Sequence, residues 1–177
     1  MSNTITPTQL LVLSNLGALI RTGFGWLQTL AMVAAPLALR IGLAVPFYSS
    51  GLTKWTGFLT LSPAAQFLFE EQFKLHVFGR QYDLPAPALL AWFDGVAEIV
   101  LPIFLVVGFA TRLSALGLLG MTAVIQLVVP DGWANFHLPW AAMAIALIAL
   151  GPGPLSFDRV VGWVFASWSS VDQSRAD

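Results

Sequence analysis

The sequence predicts an all-α integral membrane protein: a four-helix bundle with extra amphipathic interfacial helices at the N-terminus, in the first outer loop and at the C-terminus. Three observations lead there. Of 177 residues, 57% are hydrophobic and only 10% are charged, against about 25% charged in ordinary soluble domains. Uncharged runs recur at residues 22–39, 113–130 and 132–157, too long and too many for one soluble core. The stretch 89–107, LLAWFDGVAEIVLPIFLVV, has the apolarity of a span yet carries two acids, and a span needs about 20 predominantly apolar residues.

Those acids organise the rest. Asp94 and Glu98 are four residues apart, so on a helix they share one face. A carboxylate facing lipid costs about 2.5 kcal/mol or more, so both are expected to face protein, water or a cation. Two readings stand side by side: a polar patch that locks helices together, or a binding or proton site.

In chain order, residues 1–9 are polar and expected to fray. Residues 10–30 are apolar but interrupted by Asn15, Arg21 and glycines. No small-residue cleavage pattern follows, so the segment reads as retained, an amphipathic helix in the interface with Arg21 snorkelling to headgroups. A fifth span through 22–39 is the alternative. The first span is placed at 35–55, with Pro36 in its first turn, Arg40 near one end, Lys54 at the other and a kink at Pro46. Tyr48, Ser49, Ser50 and Gly51 offer hydroxyls and a point of close approach.

Residues 56–87 form an outer loop too polar to span. Ser62-Pro63 marks a helix start, and AAQFLFEEQF reads as a short amphipathic helix over the mouth of the bundle. Pro85 and Pro87 lead into a second span at 88–109, with Pro102 inside it. The short turn at 108–112 makes the third span, 113–129, its antiparallel neighbour. That span carries the small series Gly117, Gly120, Ala123 and an amide, Gln126. Pro130-Asp131-Gly132 is a turn, and Trp133, Phe136 and Trp140 suit an aromatic belt before the fourth span, 138–150. Gly-Pro-Gly-Pro ends that helix, and Ser156-Phe157-Asp158 caps a tail helix expected at 159–168. By length the chain is one domain, 1–177.

Arg21, Arg40, Arg112, Arg159 and Arg175 fall on one side of these spans and Lys54, Lys74 and Arg80 on the other. The positive-inside rule then places both termini in the cytoplasm, with the long loop outward. Polar groups from four spans meet near the outer mouth: Lys54, Asp94, Glu98, Gln126, Asn135 and His137. Lys54 with Asp94 or Glu98 is the natural neutralising pair, unless Lys54 merely marks a span end. His137 is either an interfacial residue or a proton-exchanging neighbour. Tyr48, Trp92 and Trp140 are packing residues or, with the acids, one wall of a quinone site. His76 reads as a surface residue. At the inner side Arg40, Arg112 and Asp158 form a structural anchor.

Several chemistries are excluded. The chain has no cysteine, hence no disulfide, thiol nucleophile, Fe–S cluster or c-type haem attachment. His76 and His137 lack metal-binding spacing, so no metal site is assigned, and there is no glycine-rich nucleotide motif. A net charge of −1 without a basic tail argues against nucleic acid. No cofactor is assigned from the residues, and a quinone is the candidate left open.

Three stretches resemble the DoxX family of small four-helix bacterial membrane proteins. They are LALRIGLAVPFYSSGLTKW at 37–55, EIVLPIFLVVGFATRLSAL at 98–116 and GPGPLSFD at 151–158. The matching positions are Arg40, Gly51, Lys54, Glu98, Gly108, Arg112 and Asp158. The resemblance implies four spans in a bacterial inner (plasma) membrane and cytoplasmic termini. Some members look like the small membrane subunit of thiosulfate:quinone oxidoreductases; others go with oxidative-stress, thiol-redox or metal-related systems. The long N-terminal segment and enlarged first loop depart from a minimal member and offer docking surfaces for a partner. The leading expectation is a non-catalytic membrane component of a redox or metal and oxidative-stress system, bound to lipid and assisting a protein partner. A quinone-reactive subunit of an oxidoreductase comes second and a small transporter using the acidic layer third. A homodimer through the small-residue faces is a further expectation.

Overall fold

The computed structural model describes residues 7–164, and for residues 7–16 the backbone alone. Of the fraying expected at 1–9, residues 7–9 are helical instead and residues 1–6 lie outside the described residues, as do the tail helix beyond 164 and Arg175. Among the described residues, four helices are long and apolar enough to cross a membrane: Gly17–Thr53, Pro87–Val107, Thr111–Val128 and Pro130–Leu150. By its contacts the chain divides into two compact units, Met1–Ala35 and Pro36–Asp177.

Both units contribute to α1, Pro7–Thr53. This corrects the expected break between an interfacial helix at 10–30 and a span beginning at 35, and leaves no separate fifth span at 22–39. Pro36 lies inside the helix instead of opening it. The run of Leu, Ala, Met and Gln before it favours helix strongly, and one proline removes a single donor without ending such a run. In the first unit every described side chain from Ala18 to Ala35 is exposed. Arg21, Thr22, Gln28 and Thr29 share one sector of the helix, and the leucines lie largely opposite. Thr22 and Thr29 donate their hydroxyls to the carbonyls of Ala18 and Gly25 at 3.0 and 2.9 Å, which satisfies them inside apolar surroundings.

In the second unit the remaining helices are α2 (Pro63–Phe67), α3 (Pro87–Val107), α4 (Thr111–Val128) and α5 (Leu138–Leu150). A 3-10 turn, Pro130–Gly132, and a π-helical turn, Trp133–His137, lead into α5. Glycines set the close contacts. A side chain at Gly51 of α1 would meet Ile99 and the backbone of Glu98 on α3 at 2.9–3.0 Å, and one at Gly117 of α4 would meet Leu101 of α3 at 2.8 Å. Leu43, Ala44 and Phe47 of α1 join Leu105, Ala115, Leu118, Ala144 and Leu147 in one buried core. Of the small series expected to serve a dimer, Gly117 is therefore spent on packing within the chain.

The loop between α1 and α3 is richer than the one amphipathic helix expected. Ser62 does cap α2, accepting from the Ala65 N–H at 3.1 Å, and a π-helical turn, Leu68–Gln72, extends it. Around these lie two antiparallel hairpins, β1 (Trp55–Gly57) with β2 (Thr60–Leu61) and β3 (Lys74–Val77) with β4 (Arg80–Asp83). The turn of the second is Phe78-Gly79, both with positive φ (49° and 75°), as a two-residue hairpin turn requires. Phenylalanine stands where asparagine or aspartate would have advertised that turn. His76, expected at the surface, is half-buried, with Nδ1 3.2 Å from the Leu127 carbonyl of α4.

At the opposite end, Gly108 and Phe109 close α3 by donating N–H groups to the Phe104 carbonyl at 2.9 Å, a Schellman arrangement. Ala110 precedes α4 with φ 46° and has no capping side chain of its own. Asp158 supplies the cap from afar, accepting from the Ala110 and Thr111 N–H groups at 2.7 and 2.8 Å. Residues 157–164 are helical, and Ser156 caps them by accepting from the Arg159 N–H at 3.3 Å. Asp158→Ala is expected to cost about 1–2 kcal/mol, the range for losing such a cap, while Asp158→Asn retains most of it. Thermal unfolding in detergent micelles reads the difference; equal melting of all three proteins would refute the cap.

Candidate functional site

The polar residues fall into three groups. The first lies at the end of the second unit that carries the loop. Lys54 follows the last turn of α1 and reaches inward instead of snorkelling outward. Its ammonium donates to Ser50 Oγ at 3.1 Å and lies 3.0 Å from Asp94 Oδ2, and it is ion-paired and hydrogen-bonded to Glu98 Oε2. Two hydrogen bonds and the ion pair with Asp94 thus hold the ammonium in place. Lys54 is 9% exposed and Glu98 3%. Gly95 makes the approach possible, since a Cβ there would sit 3.3 Å from the Lys54 stem and 2.7 Å from the Trp55 ring. The pattern Asp-Gly-x-x-Glu on α3 therefore provides one carboxylate, a groove for the lysine and a second carboxylate.

The second group is separate. His137 is buried, its Nδ1 2.5 Å from Gln126 Oε1, and the Gln126 amide donates to the Pro130 carbonyl at 3.1 Å. Gly132 lies under the imidazole, where a Cβ would come within 2.6 Å. This closes the turn between α4 and α5. The sequence placed Gln126 and His137 in one layer with the acids; the structure places neither on the wall of the cavity described below. Trp140 stands between the groups, its ring 5.5 Å from that of His137 and 5.1 Å from that of Phe47. Asn135 is exposed.

The third group is the expected anchor at the other end. Arg40 is buried and donates from Nη1 to the Pro152 carbonyl and from Nη2 to the Val106 carbonyl, both at 3.1 Å. It thereby ties the end of α3 to the segment after α5. Asp158 serves the α4 cap and forms no salt bridge with Arg40. Arg112 is exposed, and its guanidinium flanks Gly151.

A cavity of about 550 Å³ opens beside the first group, within the range of small-molecule sites, roughly 300–1,000 Å³. Pro46, Phe47, Phe69, Phe73, Phe93 and Trp140 make its wall largely apolar, while Ser50, Lys54, Asp94 and Glu98 supply polarity at one place. Tyr48 does not line it and is 39% exposed. Trp92 is half-buried against Trp55, with ring centroids 6.5 Å apart. Sequence reasoning missed Phe69 and Phe73, whose role depends on the fold of the loop. Among the described residues no group of three or more His, Asp or Glu side chains is placed to hold a metal.

Four helices of spanning length and apolarity among the described residues, with a buried ion cluster joining the end of α1 to α3, define a multi-pass helical membrane protein. The chain belongs to the DoxX family, whose model matches residues 35–131. The match contains Lys54, Asp94, Glu98 and Gln126, and ends before His137 and the 151–158 motif. No curated protein and no solved structure matches the chain.

Proposed function

We propose that this DoxX protein is a membrane component of a redox or stress-response system, holding a quinone-type ligand for a protein partner that supplies the electrons. The carrying observation is the cavity: apolar over most of its wall and polar where Lys54, Asp94 and Glu98 meet. A quinone ring needs flat apolar surfaces and, at its oxygens, both a donor and an acceptor. The Lys54 ammonium can donate to a carbonyl oxygen, and a carboxylate can accept from a hydroxyl. A bound quinone would supply the two-electron chemistry that this cysteine-free chain does not carry in its own side chains. Phe47, Phe69 and Trp140 would exclude water around the ring, and Glu98 and Asp94 would hold or pass protons beside it.

The transporter reading is the weaker one, because the cavity wall is largely apolar and its two acids are both paired with Lys54. Membership of a bacterial membrane family supports an inner-membrane location, and the uneven distribution of arginines supports cytoplasmic termini, which would leave the loop at 56–87 facing outward as the surface for the partner.

Gentle purification from native membranes, solvent extraction and mass spectrometry test the proposal. About one quinone per chain is expected. Glu98→Gln is expected to lower occupancy about tenfold or more, since hydrogen bonds to charged groups contribute about 1.5–3 kcal/mol. A well-folded wild-type protein without quinone, or a Glu98→Gln protein of unchanged occupancy, would refute it.

A further inference from the structure

The cavity has a front. Its rear is formed by Phe47, Lys54 and Trp140, and the loop side by Phe69 and Phe73. Toward the other end, α3 and α4 close on each other where Leu101 fills the space over Gly117. Between these limits the wall is open. Phe93 and Val124 line the cavity yet are 58% and 55% exposed, far more than an enclosed wall residue. Gly120 also lines it and is exposed, and a Cβ there would meet nothing within 4 Å. At 1.5 Å per residue, Phe93 and Ala97 lie about 9 and 15 Å from the loop end of α3, Pro87–Val107, and Val124 and Gly120 about 6 and 12 Å from the same end of α4, Thr111–Val128. That range falls in the loop-side half of a hydrocarbon layer about 30 Å thick. A gap at this depth meets lipid chains and not water.

We infer that the cavity is entered sideways from the bilayer, between α3 and α4, by an amphiphile whose polar head reaches Lys54 and whose apolar tail stays between the helices and the lipid. The ligand class is therefore a long-tailed, membrane-dissolved molecule and not a metabolite delivered from water. The nature of the head rests on the quinone reading above; the route does not. Gly120 is the sill of the opening, because a larger side chain would project into free space across it.

The chain has no cysteine, so a single introduced thiol reports one position. Ala97→Cys, labelled with bimane and reconstituted in phosphatidylcholine vesicles, is measured against two quenchers: lipid carrying a doxyl group on its acyl chain, and aqueous iodide. Strong quenching by the lipid, little by iodide, and a severalfold loss of lipid quenching when Gly120→Phe is added are expected. Met121→Cys on the facing wall repeats the measurement should the first variant fold poorly. Quenching by iodide, or by neither agent, would overturn the inference. Lipid quenching in a protein that retains no quinone on extraction would uphold the route while refuting the quinone as occupant.

Discussion

Lys54→Met is expected to unfold the protein or remove it from the membrane fraction. Asp94 and Glu98 would be left a turn apart with no cation between them, and Glu98 is 3% exposed. Breaking a buried pair by removing one partner costs about 3–5 kcal/mol, a large share of the roughly 5–15 kcal/mol that holds a domain together. Removing every charge is a different matter. A triple variant, Lys54→Met with Asp94→Asn and Glu98→Gln, leaves no orphaned ion and is expected to recover much of the lost stability. Asp94→Asn alone should cost less than Glu98→Gln, because the Asp94 side chain retains 24% exposure against 4% for Glu98. Melting temperatures in detergent micelles, with membrane abundance, measure the series. A Lys54→Met protein that melts like the wild type would show that the cluster does not hold the helices together.

Gly108→Ala is expected to be the most damaging single methyl group in the chain. Gly108 has φ +76°, and an added Cβ would lie 2.5 Å from Arg40 Nη1, 2.6 Å from Ser156 Cβ and 2.9 Å from Ser156 Cα. The left-handed backbone and the collision act together, for a combined cost of about 2–4 kcal/mol. If the arginine yields, the Val106 and Pro152 carbonyls lose their donors. Gly120→Ala is the internal control: it meets nothing within 4 Å, and in a helix it is expected to be neutral or slightly stabilising. Thermal unfolding of the two variants side by side decides the matter, and equal melting would contradict the close packing around Gly108.

The spans were legible in the sequence because hydropathy and proline punctuation are local. Leu138–Leu150 coincides with the expected fourth span, and Pro87 opens α3 as expected. The four-residue spacing of Asp94 and Glu98, with a lysine closing the neighbouring span, was enough to anticipate which groups neutralise one another. What escaped was non-local or weakly coded. The N-terminal reach of α1 depends on a proline tolerated inside a strongly helical run. The hairpins turn at Phe58-Leu59 and Phe78-Gly79, neither of which carries the usual asparagine-glycine signal. Gln126 and His137 sit at the same end as the acids, but helix rotation and the π-helical turn direct them to each other. Depth along the membrane is encoded by sequence position, whereas azimuth around the bundle is encoded by packing.

The distant cap on α4 has a consequence for how the protein is made. The two amides it satisfies belong to residues 110 and 111, yet the carboxylate belongs to residue 158. At roughly 5–20 residues per second, the ribosome reaches that aspartate several seconds after the α3–α4 turn has been synthesised. Until then, the start of α4 lacks its acceptor, and Arg40 lacks the Pro152 carbonyl that it holds in the finished protein. Membrane insertion can therefore proceed helix by helix, while fastening of this end waits for the last stretch of chain to arrive.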